Sequence, residues 1–227
     1  MIRIKKRSIF LIFTITLVIT SSARASVIIN EIFADPSSSL LGDANADGVR
    51  SGTKDEFIEL LNYGASEIDI SGWSLSDKVS TRHIFPLDTI LSPYTFLAVF
   101  GGGSPQLPDI NWQVASTGTL GLNNTNDAVS LFNTETQLID KVVYGGIGGN
   151  DQSITLFPDG EGTEFVLHSS LDQSQGALFS PGTSIDSRIS LVSIEEEELP
   201  DNAVVPELPA LVYFGLGWGS LLLKKKF

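Results

Sequence analysis

The chain predicts an all-β domain, a sandwich of short strands, flanked by two segments that are addresses rather than fold. Three observations lead there. Between Val27 and about Thr183 no apolar pattern of period 3.6 is sustained. Short apolar or alternating runs recur instead, each bounded by Gly, Pro, Asn or Asp. Both ends of the chain carry an apolar stretch with a basic cluster on one side, before it at the N-terminus and after it at the C-terminus, unlike anything between them.

The first address is residues 1–25. Arg3, Lys5, Lys6 and Arg7 open it, an apolar and Thr run follows from Ile9 to Ile19, and Ala23-Arg24-Ala25 matches the small-x-small cleavage pattern. This is the three-part layout of a secretory signal, with Ala23 and Ala25 as the cleavage residues. The apolar run is short for a membrane span.

The body, residues 26–185, follows. Val27–Phe33 reads as the first strand. Glu56–Tyr63 alternates Phe57, Glu59, Leu61 and Tyr63 against Ile58 and Leu60. Glu67–Ile70 and Trp73–Leu75 stand on either side of Ser71-Gly72, where Gly72 allows a corner that turns Trp73 inward. His83–Phe85 stops at Pro86, and Thr95–Phe100 runs into Gly101-Gly102-Gly103. Ala128–Phe132 and Leu138–Tyr144 are joined by the polar turn Asn133-Thr134-Glu135-Thr136, and Asn126-Asp127 fits a turn ahead of that pair. Ser153–Phe157 and Phe165–His168 complete the set. Strands at this spacing predict a β-sandwich of immunoglobulin-like size. The expected core aromatics are Trp73, Phe85, Phe96, Phe132 and Tyr144, while Asn30 and Glu31 are expected to end a strand and cap turns. No internal repeat is present.

Residues 186–204 break the pattern. Glu195–Glu198 form an unbroken acidic run ahead of Pro200, the composition of a solvated, disordered spacer. Residues 205–227 form the second address. Leu208–Leu223 is apolar or Gly/Ser/Pro, and Lys224, Lys225 and Lys226 close it. As a helix this stretch is roughly 24 Å long, a marginal single span once the lysine stems snorkel, with the lysines on the cytoplasmic side.

Charge and cysteine content narrow the function classes. Between residues 26 and 205 stand 6 basic and 26 acidic residues, a net of −20. Such a surface repels nucleic-acid phosphate and attracts cations. The absence of cysteine excludes disulfide scaffolds, thiolate zinc sites, iron–sulfur clusters and thiol catalysis. The two histidines, His83 and His168, leave little for imidazole metal sites and are expected at the surface or at strand rims.

One stretch carries ligand chemistry. Gly42-Asp43-Ala44-Asn45-Ala46-Asp47-Gly48 places side-chain oxygens at alternate positions and then a glycine, the start of a D-x-N-x-D-G calcium loop. The expected ligands are Asp43, Asn45 and Asp47, the carbonyl of Val49, and Asp55 in place of the usual acid at loop position 12, which here is Lys54. With no flanking helices, this is a single calcium loop between strands, with a structural role. The bland alternative is a solvated Asp/Asn/Gly turn. For catalysis the sequence offers only fragments. Asp55, Glu56 and Glu59 are close in sequence, and Ser51-Gly52-Thr53-Lys54 reads S-x-x-K without its companion motifs. No complete catalytic constellation is present, so the chain is read as a non-enzyme. The alternative is a secreted metal-dependent hydrolase or nuclease built on the acidic loop with Asp55 and Glu59.

Several stretches taken together resemble the bacterial lamin-tail domain. They are Val27–Ile32, Asp55–Asn62, Ile68–Asp77, Asn126–Phe132, Ile139–Gly145 and Ser180-Pro181-Gly182, in that order. The resemblance covers roughly 26–185 and implies an immunoglobulin-like sandwich used as a binding or interaction module. Pro206-Glu207-Leu208, the Gly215-x-Gly217-x-Gly219 helix and the terminal lysines resemble the PEP-CTERM sorting signal of exported bacterial proteins, with Leu208 where that signal usually has proline. This resemblance implies an exosortase-like processing enzyme as a partner, membrane attachment through the C-terminal helix before processing, and delivery to the cell surface, envelope or matrix. There the partners would be extracellular proteins or polysaccharides.

Overall fold

The computed structural model describes residues 26–185. The cleavage residues Ala23 and Ala25, the 186–204 spacer and the Pro206-Glu207-Leu208 segment lie outside the described residues. Twelve strands make up the domain: β1 Val27–Phe33, β2 Phe57–Asn62, β3 Ile68–Asp69, β4 Ser74–Ser76, β5 Thr81–Ile84, β6 Ile90–Leu91, β7 Phe96–Phe100, β8 Trp112–Val114, β9 Asp127–Phe132, β10 Leu138–Tyr144, β11 Ile154–Leu156 and β12 Phe165–Leu167. The only helical pieces among the described residues are single 3-10 turns, and no helix there is long and apolar enough to cross a membrane.

The strands form a six-stranded sheet in the order β12-β11-β1-β2-β7-β8, a four-stranded sheet β10-β9-β4-β5, and the small pair β3-β6. All pairings are antiparallel except β7 with β8. The inward faces of the two larger sheets share one core that includes Ile29, Ile32, Ile58, Leu60, Leu75, Phe85, Val99, Val129, Leu131 and Tyr144. Burying such side chains contributes roughly 1.5–3 kcal/mol each. This is the all-β sandwich that the strand spacing predicts.

β1 and β2 are buried along their whole length, because the six-stranded sheet is covered on its outer side too. There Phe33, Phe57, Ala98 and Phe100 form a second cluster with Ala44, Leu107 and Phe179 around it. Phe57 packs edge-on to Phe33 and to Phe100, with ring centroids 5.7 Å apart in each case. Of the five expected core aromatics, Phe85, Phe96 and Tyr144 are buried. Trp73 is half-buried against the main core, on a corner where Gly72 has φ +74°. Phe132 is only half-buried.

Two expectations fail. Asn30 and Glu31 do not end a strand. They lie in the middle of β1, where the pairing with β2 shifts register between Ile29 and Glu31. A bulge of this kind places two consecutive side chains on one face, and both are buried against the outer layer. Nor are the histidines at the surface. His83 is 3% exposed and His168 1%, because each ring has hydrogen-bond partners that permit burial. His83 lies edge-on to Phe85 at 4.6 Å; its Nε2 is 2.8 Å from Gln113 Oε1, and its Nδ1 accepts the Ser116 amide at 3.2 Å.

Candidate functional site

The segment between β1 and β2 folds into the acidic loop. A 3-10 turn at Leu40–Gly42 delivers Asp43. Asp43 Oδ2 accepts the Gly48 amide at 2.9 Å, Asn45 Oδ1 accepts the Asp47 amide at 2.9 Å, and Asp47 Oδ1 accepts the Val49 amide at 2.9 Å. These short side-chain-to-backbone bonds are what Asp and Asn make in tight turns. Gly48, at φ +82°, takes the bend. Arg50 fastens the far side of the loop, its guanidinium donating to the carbonyls of Ser37 and Pro36.

Asp55 closes the loop from its other end. Its Oδ2 accepts the Ser51 amide at 2.6 Å and its Oδ1 the Asn45 amide at 3.4 Å. Asp55 is fully buried, and burial raises its pKa, with the charges of Asp43 and Asp47 pushing the same way against the amide donors. Asp47 differs. Its Oδ2 accepts the Ser104 amide at 3.0 Å, and that bond is the main reason its pKa is lowered. Asn45 is buried as well, donating to the Gly102 carbonyl at 3.3 Å. The Gly101–Gly103 run makes this approach possible. A Cβ on Gly103 would stand 2.3 Å from Asn45 Nδ2 and 2.6 Å from Asp47 Oδ2.

The expected ligand set is therefore gathered in one loop, with its oxygens differently engaged. Asp43 Oδ1 is shut off from solvent and has no hydrogen-bond partner. Both oxygens of Asp55 face backbone amides, and the Val49 side chain is 66% exposed. Among the described residues no three His, Asp or Glu side chains stand in an arrangement that could hold a metal ion. The expected set counts the side-chain amide of Asn45 and a backbone carbonyl besides its carboxylates.

The three acids at the start of β2 part company. Asp55 turns to the loop. Glu56 turns away from the loop: its Oε2 accepts the Leu122 amide at 3.4 Å, and Arg82 and Asp127 are its charged neighbours. Glu59 points outward and accepts from Asn30 Nδ2 at 3.0 Å and from the Gly182 amide at 2.6 Å. Asp55 and Glu59 thus take different hydrogen-bond partners.

Sequence reasoning missed a second polar network, on the outer face of the six-stranded sheet. Glu31 and Glu59 are directly opposite each other across β1 and β2. Glu31 Oε1 accepts the Ser153 hydroxyl at 2.5 Å and the Ser180 amide at 3.0 Å, while Oε2 accepts the Ser180 hydroxyl at 2.9 Å. Asn30 Nδ2 bridges Glu59 to Asp159, at 3.0 and 2.9 Å. Asp159 Oδ2 accepts the Ser184 hydroxyl at 2.7 Å and the Ile185 amide at 3.0 Å. His168 Nε2 is 2.9 Å from Ser180 Oγ, and its Nδ1 is 2.8 Å from the Ala177 carbonyl. This places a serine, a histidine and an acid together. The serine hydroxyl donates to the acid, however, and the acid does not orient the imidazole as in a catalytic triad. The signal in the sequence was the polar pair Asn30-Glu31 inside an otherwise apolar strand.

A groove of about 760 Å³ runs between β10 and the β11–β12 hairpin, with Ile29, Lys141, Tyr144, Leu156 and Phe165 in its walls. Asp140 spans it, accepting the Ile29 amide at 2.8 Å.

The family model of the Lamin Tail Domain matches residues 20–146, more than half of the chain. The chain belongs to the lamin tail domain family. No curated protein is similar enough to count as a match. The lamin tail domain here continues past that match. β11 and β12 complete the six-stranded sheet, and residues 178–185 cover its outer face through Phe179, Ser180, Gly182 and Ser184. A lamin tail domain sandwich of this kind fits an interaction module.

Proposed function

We propose that this lamin tail domain is an exported, non-enzymatic binding module, delivered to the cell envelope or extracellular matrix through its C-terminal signal. The observation that carries this reading is the family match over a closed sandwich in which Asp55, Glu56 and Glu59 diverge to separate structural duties. Export rests on the Ala23-Arg24-Ala25 pattern, and sorting on Pro206-Glu207-Leu208 with the terminal lysines. An exosortase-like enzyme would process the tail, which the membrane would hold until then. The partners of the released body are extracellular proteins or polysaccharides, and its net negative charge favours those with basic groups.

Calcium belongs to the same proposal. Asp43, Asn45, Asp47 and the Val49 carbonyl would hold the ion, with Asp55 re-aimed to join them. The solvent-free and unpartnered Asp43 Oδ1 supports the fit. A bound Ca²⁺ would neutralise neighbouring carboxylates and stiffen the long β1–β2 connection.

Intact-mass spectrometry of the native protein, on membrane and medium separately, tests the sorting. Loss of residues 1–25 and of everything beyond about Glu207 is the expected result. A full-length C-terminus found only in membranes would refute it. Titration calorimetry with Ca²⁺ tests the loop, and the absence of heat at millimolar calcium would remove the metal from the reading.

A further inference from the structure

The two larger sheets differ in what lies outside them. The six-stranded sheet is covered by the Phe33–Phe57–Phe100 cluster and by the strap of residues 178–185. On the four-stranded sheet Leu75, Val129, Leu131, Val142 and Tyr144 point to the core, so the alternate residues face outward. Strand register sets Lys141, Ser130, Ser76 and Thr81 side by side across all four strands. Lys141 and Thr81 are exposed, as are Leu138, Ile84 and Val143 on the same face. This face is open to solvent.

Charge is spread unevenly over the domain. Residues 26–185 hold 20 acidic side chains and only 5 basic ones. Arg50 is bound to backbone carbonyls, Arg82 to Asp77, and Lys54 stands by the acidic loop, where it acts on Asp47. The other two, Lys78 and Lys141, are exposed, and among the described residues neither forms an ion pair. Both line one depression of about 390 Å³ on the four-stranded sheet, together with Ser76, Val79, Thr81 and Ser130. The carboxylate of that depression, Asp77, is turned under the surface and accepts from Arg82 and from the Val79 and Ser80 amides. Asp140, next to Lys141, is turned to the Ile29 amide. A small cationic face with exposed apolar neighbours thus stands on a strongly acidic domain.

We propose that this face is a docking surface for the Glu195–Glu198 run of a neighbouring copy of the chain, so that copies join head to tail. Complementarity selects the occupant. The run is the longest unbroken stretch of acids in the sequence, and Ile194 and Leu199 flank it, as Val79, Val143 and Leu138 accompany the lysines. Geometry selects a neighbouring copy over the chain's own run. The described residues end at Ile185, whose amide is held by Asp159 at 3.0 Å outside the other sheet. The ten residue steps from Ile185 to Glu195 span at most about 35 Å. That length would have to round the edge of a sandwich whose sheets alone lie about 10 Å apart. At physiological salt, repulsion between the acidic bodies is screened beyond about 8 Å, while groups in contact still attract. Each copy contributes a different surface to each contact, so the assembly does not close on itself and can extend. The run precedes Pro206, so the inference stands apart from whether the tail is processed.

Carbodiimide coupling, which joins lysine amines directly to carboxylates in contact, tests this on the full-length protein. Equal parts of ¹⁴N and ¹⁵N protein are mixed at about 0.15 M salt, coupled and digested. The expected product is a mixed-isotope peptide pair joining Lys78 or Lys141 to residues 195–198. In sedimentation, the double variant Lys78→Gln, Lys141→Gln should need about tenfold more protein to associate, and Lys54→Gln should behave like wild type. Both replaced lysines are exposed, so the fold is not at stake. Coupling confined to single-isotope pairs would place the run on its own body and overturn the proposal. Lysines that couple to other acids, or to none, overturn it as well, and so does a double variant that associates like wild type.

Discussion

Glu56→Gln should make the protein more stable at alkaline pH and nearly indifferent at acid pH. Glu56 is 3% exposed, and burial pushes its carboxyl up from 4.5 to about 8, against the Leu122 and Gly121 amides and Arg82. Arg82 does little to offset this, since it is engaged with Asp77 at 2.5 Å. A pKa raised in the folded state means that stability is complete below about 4.5 and drains away as pH climbs through 8. The difference between 4.5 and about 8 corresponds to a loss of about 5 kcal/mol from this residue alone. Glutamine keeps a carbonyl oxygen for the Leu122 amide and has nothing to ionise. Urea unfolding of wild type and variant at about pH 5, 7 and 9 measures the effect. The variant's advantage should grow from near zero to several kcal/mol, on the scale set by linkage. Taking the difference between the two proteins removes the parallel contributions of Glu31 and Glu59. An advantage that does not change with pH would refute the reasoning, because it would mean that Glu56 is charged in the folded protein throughout.

Three further outcomes follow from the packing. Tyr144→Phe should leave stability unchanged or raise it by up to about 1 kcal/mol in thermal or urea melts, because the Tyr144 hydroxyl is buried without a partner; a clear loss would show that the hydroxyl is bonded. Gly103→Ala should cost at least about 2 kcal/mol, since the residue has φ +81° and its Cβ would enter the acidic loop; a melting curve like that of wild type would contradict the loop packing. Phe57→Ala should cost about 3–5 kcal/mol and speed cleavage of the 178–185 strap by a protease, because Phe57 supports Phe33, Phe100 and Phe179 together; unchanged proteolysis would separate the strap from the aromatic cluster.

Much of the sandwich was legible in the sequence because its strands are apolar runs between turn residues. Val27–Phe33 and Leu138–Tyr144 needed no correction at either end. β8 was not legible. Trp112-Gln113-Val114 sits in a polar stretch and pairs in parallel with β7, a match set by the tertiary path rather than by local pattern. The two-residue β6 is too short to carry any period. The loop of Asp43, Asn45 and Asp47 was legible because its side chains act within a few residues of themselves. The outer network was not. Glu31 meets Ser180, and Asn30 meets Asp159, across more than a hundred positions. The bulge that turns Asn30 and Glu31 to one face leaves no mark that a period-2 reading detects. The burial of His83 and His168 depends on distant partners in the same way.

β1 is paired on one side with β2 and on the other with β11, and the strap at residues 178–185 is fastened to that same strand. The first strand delivered from a ribosome therefore cannot be completed until nearly the last residue of the domain has followed it. Folding must wait for contacts of very long sequence separation, which slows it. For a chain led out of the cell by its N-terminus, as proposed here, that delay is useful. Under that proposal the polypeptide would stay threadable while it crosses the membrane, and would close into a sandwich only after residues 178–185 had emerged on the far side.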